Sequence, residues 1–124
     1  MKLKKISAVL FAFVCMFMFP FLSVNAGGWD YLGGESFYED SHVHSSTGGD
    51  YRVCRDSSGP SRAIEVELWE YDPESYNDYV GQRYLSPGEC GVFRSIGGFV
   101  DGGNEAEFFA KNRSSSLIYA TFWD

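Results

Sequence analysis

Cysteine, histidine, methionine and basic residues are all scarce in this 124-residue chain, and each shortage excludes something. His42 and His44 are the only histidines. Their i, i+2 spacing on a strand puts both on one face, but no third ligand of matching spacing completes a zinc site, so ordinary surface histidines are the better reading. Nor do they supply a base for Ser41, Ser45 or Ser46, because no strand–turn–helix nucleophile motif surrounds those serines. An enzyme is therefore not expected. No helix-period run of useful length follows residue 27, and no internal repeat or low-complexity segment stands out.

Long apolar runs are also missing, with one exception at the N-terminus. Lys2, Lys4 and Lys5 precede an almost unbroken apolar stretch from Ile6 to Leu22, and Val24-Asn25-Ala26 ends it with small residues. This is the pattern of a secretory signal peptide over residues 1–26, cleaved before Gly27. Its style points to a Gram-positive-type bacterium and to a secreted, extracellular product. The apolar stretch is short for a membrane span, and Pro20 with the Val-Asn-Ala exit favours cleavage over anchoring.

Cleavage changes the balance of what remains. The 98 residues from 27 to 124 suffice for one domain and are too few for two. The leader removes three of ten basic residues and none of seventeen acidic ones, which leaves seven against seventeen and a formal charge of −10. Nucleic acid and anionic membranes repel such a surface, so cations, basic proteins and neutral polymers remain as partners. All three methionines and Cys15 also leave, so Cys54 and Cys90 are the only thiols in an oxidising compartment. One pairing is open to them, and a Cys54–Cys90 disulfide is expected.

All fourteen glycines fall after residue 26, and they punctuate short runs rich in Val, Ile, Phe, Tyr and Trp. Short strands joined by tight turns give this pattern. The clearest strand runs from Ala63 to Tyr71, where Ile64, Val66 and Leu68 alternate with Glu65 and Glu67. The last, Leu117 to Trp123, is apolar on both faces, as a central strand would be. Tyr79–Leu85, Gly91–Ile96, Ala106–Lys111, Gly49–Cys54 and Phe37–His44 read as further strands, and Trp29 to Leu32 starts the sheet. The expectation is all-β: a small antiparallel sandwich of about six to eight short strands with one disulfide.

One stretch carries chemistry. Acidic side chains fall at Glu70, Asp72 and Asp78, followed by Tyr79, Val80 and Gly81. Residues 70 and 72 project from one face of the strand end, and the intervening loop can fold Asp78 back toward them. Converging carboxylates repel one another unless a cation lies between them, and calcium accepts six to eight oxygen ligands in flexible geometry. The stretch resembles the third calcium-binding loop of C2 domains, gap-free over about 14 residues, and the preceding Ile-Glu-Val-Glu-Leu strand looks like its C2 counterpart. The resemblance implies calcium ligation by Asp72 and Asp78, with Glu70 where the family has Asp. The Asp56-Ser57-Ser58-Gly59 turn is the candidate for the companion loop. Asp-Pro, Asn-Asp and a closing Gly also suit any solvated hairpin connection.

A second resemblance lies at the ends. Gly27-Gly28-Trp29-Asp30-Tyr31 followed by His42 and His44, with the terminal Tyr119 to Trp123 run, is similar to the lactococcin 972 type of secreted bacteriocin. The middle of the chain, its acidity and the disulfide differ from that type. Trp69 and Tyr71 share the polar face of their strand with Glu65 and Glu67, where they can stack on sugar rings or grip a protein unless a sheet or loop covers them. These features point first to a non-catalytic extracellular binding module for a protein or cell-wall polysaccharide, with calcium ordering the 70–81 loop. A secreted bacteriocin or antagonistic toxin is the second reading, and a small inhibitor of secreted enzymes the third.

Overall fold

The computed structural model describes residues 28–100, 103 and 105–124, so the leader expected over residues 1–26 lies outside the described residues. Eight strands follow one another: β1 (Tyr31–Phe37), β2 (His44–Ser46), β3 (Tyr51–Arg55), β4 (Ile64–Glu70), β5 (Asp78–Leu85), β6 (Cys90–Phe93), β7 (Ala106–Asn112) and β8 (Ile118–Trp123). Among the described residues a single 3-10 turn, Ile96–Phe99, lies between β6 and β7. Two antiparallel four-stranded sheets result, one ordered β1-β8-β3-β6 and the other β2-β7-β4-β5. The expected all-β architecture is the one observed. Among the described residues no helix is long and apolar enough to cross a membrane.

Alternation builds the core. In β4, Ile64, Val66 and Leu68 are buried while the glutamates between them are half-buried on the outer face. β8 presents Ile118, Ala120 and Phe122 inward from the other sheet, flanked by Tyr51 and Val53 of β3. As its two apolar faces suggested, β8 is an interior strand, paired with β1 and β3. Cys54 and Cys90 stand opposite each other in the β3–β6 register and form the expected disulfide, 36 residues apart. A loop of this length is worth roughly 3–4 kcal/mol in the chain-entropy account.

The segment Phe37–His44 departs from expectation. It is not one strand: β1 ends at Phe37, β2 begins at His44, and the chain between them crosses from one sheet to the other. Phe37 is buried at the end of β1, whereas Tyr38 is exposed, so the inward-facing periodicity stops there. Ile96 likewise leaves β6 and turns inward from the 3-10 segment instead of extending the strand.

Side chains clasp the open edges of the sandwich. At the β1/β2 edge, Glu35 bonds His44 Nε2 at 3.0 Å and His42 Nδ1 at 2.7 Å, and the His44 ring stacks on Phe122 at 4.4 Å. This contact needs Gly33, since a Cβ there would lie 2.8 Å from His44 Cε1. At the β5/β6 edge, Arg83 donates to the Val92 carbonyl at 2.8 Å and lies over the Phe93 ring at 4.5 Å. Here Gly91 makes the room, as a Cβ would come within 2.8 Å of Arg83 Cγ.

Candidate functional site

Glu70 and Asp78 are cross-strand partners at the end of the β4–β5 hairpin, so the fold does bring two of the expected ligands to one level. Their exposures differ. Glu70 continues the inward series of Ile64, Val66 and Leu68 and is only 7% exposed, while Asp78 on the edge strand is exposed. Asp72 lies beyond the strand, where its Oδ1 accepts the Glu74 amide at 2.9 Å and its own amide donates to Asn77 Oδ1 at 3.0 Å. These are the bonds of a self-contained polar turn. Among the described residues no group of three or more His, Cys, Asp and Glu side chains is arranged to hold a metal ion. Asp56, whose Oδ1 caps the Ser58 amide, lies after β3 at the other end of the sandwich, so no companion loop stands beside Asp72.

What the loop does form is one wall of a groove. Tyr71, Asp72, Pro73 and Glu74 face Gly103, Glu105 and Glu107 across a hollow of about 420 Å³. The Tyr71 amide donates to the Glu107 carbonyl at 2.6 Å and ties the two walls together at the base. Among the described residues, four carboxylates and no cation line this hollow. Glu105 and Glu107 come from a segment some thirty residues away in sequence, so spacing could not have placed them there.

Beside the groove, the outer face of the β2-β7-β4-β5 sheet carries an aromatic row. Tyr79, Trp69 and Phe109 are neighbours across β5, β4 and β7, and the Trp69 and Tyr79 rings meet edge-on at 5.4 Å. Within the row Tyr79 is exposed, Trp69 half-buried and Phe109 buried, while Tyr71 and Tyr84 nearby are also exposed. Lys111 lies across the row, its Nζ 5.6 Å from the Trp69 ring and 5.5 Å from that of Phe109. The chain thus displays a cation–π contact on this face.

The strand directions put both features at one end of the molecule. β1 and β3 begin there and β6 and β8 end there, as do the β2–β3, β4–β5 and β6–β7 connections. That end holds Asp30, Asp50, Asp72, Glu74, Asp78, Glu105 and Asp124, with Arg94 and Arg52 as countercharges among the described residues. The disulfide and the Arg55-braced loop occupy the opposite end.

Residues 31–122 match the family model described as the YndA coiled coil domain. The chain belongs to the YndA family. A relative from Bacillus subtilis (strain 168), titled Uncharacterized protein YndA, is 46% identical over 104 residues, covering 82% of this chain and 78% of its own. No solved structure matches. The YndA match runs from the first residue of β1 to the penultimate residue of β8 and so spans the sandwich. Although the family's description speaks of a coiled coil, those residues in this YndA member form strands and one 3-10 turn where they are described.

Proposed function

We propose that this YndA family member is an exported, non-catalytic binding module that holds a basic protein surface at its acidic loop end. The observation that carries the reading is the groove of Asp72, Glu74, Glu105 and Glu107 opening beside the Trp69–Tyr79 row. Carboxylates without a resident countercharge attract lysine and arginine side chains, and exposed aromatic rings add contact area and cation–π attraction. Lys111 already shows how an ammonium seats on these rings. The formal charge of −10 on residues 27–124 draws a basic partner from a distance and speeds encounter. Export rests on the Lys-rich, apolar leader read from the sequence.

The test is binding of a lysine-rich peptide to the wild type and to an Asp72→Asn, Glu105→Gln, Glu107→Gln variant. The reading expects saturable, salt-sensitive binding that weakens at least about tenfold in the variant, the factor that roughly 1.4 kcal/mol represents. Equal affinity for both proteins would rule the groove out as the docking site.

A further inference from the structure

We infer that a second hollow at the same end, separate from the acidic groove, is a socket for a neutral saccharide. It measures about 460 Å³ and is lined by Gly28, Trp29, Asp30, Thr47, Gly48, Asp50, Arg94 and Asp124. A sugar ring presents an apolar C–H face and a rim of hydroxyls that both donate and accept. The lining offers the complement: an indole for the face, carboxylates to accept, and a guanidinium and a hydroxyl to donate. Gly28 and Gly48 contribute no side chains, which leaves the hollow open.

The polar groups are already held in place. Asp50 accepts from Arg94 Nη1 and from the Ser95 amide, each at 3.0 Å. Asp124 accepts from Ser46 Oγ at 2.5 Å and from the Thr47 amide and hydroxyl at 3.2 Å. The indole is held by the Arg52 guanidinium, which lies over both the Trp29 and Trp123 rings, 4.6 and 4.8 Å from their centroids. Groups ordered before binding lose little freedom on binding, so a small uncharged ligand can be held by a few hydrogen bonds and one stacked ring.

The mixture of charges favours a saccharide over a cation. In the acidic groove no guanidinium stands among the carboxylates, whereas here Arg94 lies against Asp50 and would meet an incoming lysine with like charge. Sugar hydroxyls can bridge such an Arg–Asp pair, donating to one member and accepting from the other.

Chitotriose and cellotriose, titrated separately into the full exported chain and followed by calorimetry and tryptophan fluorescence, test the assignment. Saturable binding of either, weakened at least about tenfold by Trp29→Ala and by Arg94→Gln and unchanged by Glu105→Gln, supports it. Thr47→Val, which removes one hydroxyl from the rim, provides a milder variant should Trp29→Ala fail to fold, and it too weakens binding. No saturable signal with either sugar overturns the inference, as does binding that all three socket variants leave unchanged. A lysine tripeptide that binds at these residues while neither sugar does would also overturn it. Because Glu105→Gln alters only the acidic groove, failure here is distinguishable from failure of the basic-partner reading.

Discussion

Arg55 is almost fully buried, and its guanidinium donates to the carbonyls of Arg62 and Leu85 at 2.9 Å and to that of Pro60. It braces the 56–63 connection from within. Arg55→Met keeps much of the volume but leaves these carbonyls without their donor, and chemical denaturation should show a loss of about 3 kcal/mol. Nothing in the sequence marks Arg55 apart from Arg52 or Arg62, because its role depends on carbonyls the fold alone gathers. Tyr51 is also fully buried, and its hydroxyl has no hydrogen-bond partner among the described residues. Burial, with the charges of Asp124 and Glu35 adding to it, pushes its phenol far above the ordinary value of 10.0. The unfolded chain releases this proton near the ordinary value while the folded chain keeps it. Stability is therefore intact below that pH and falls as pH rises beyond it. Tyr51→Phe should flatten the alkaline limb of a stability–pH profile and change neutral-pH stability by no more than about 1 kcal/mol.

At the scale of elements, alternation was the legible signal. β4 and β8 follow from the period-two pattern of Ile64-Val66-Leu68 and from the apolar run before Trp123, and the disulfide follows from there being two thiols. Phe37–His44 misled because strand-forming Phe37, Tyr38 and Val43 bracket a polar run, Glu39 to His42, in which the chain changes sheets, a step that no local pattern encodes. The loop after β4 is a different case. Its carboxylates are spaced as ligands, yet the strand's own alternation turns Glu70 into the interior, and Asp72 spends a lone pair on the Glu74 amide. Inward rotation of a would-be ligand was in principle readable, since residue 70 continues the series 64, 66, 68. Because of this geometry, millimolar calcium should leave the melting temperature unchanged. A clear rise that Asp72→Asn and Asp78→Asn abolish would instead support the C2-like ligand set.

Across the whole molecule, the two ends of the sandwich divide their tasks. One is fastened, by the Cys54–Cys90 bond and the Arg55 brace. The other carries the acidic connections, and there both hollows open. The acidity of residues 27–124 was evident from composition, but its concentration at one end was not, since residues 30, 50, 72, 105 and 124 meet only through the topology. Strands rigid enough to hold a groove, and connections free to carry charge, suit recognition of a large basic surface. On the proposed function, that surface lands on the acidic groove and the aromatic row. The most direct measurement is to add a lysine-rich peptide to the isotope-labelled chain and map amide and indole NMR shifts. Saturable shifts confined to residues 71–74, 103 and 105–107 and the Trp69 indole, fading as salt is raised, are expected of the proposed docking site. Shifts centred on the disulfide end, or none at all at low salt, would contradict it.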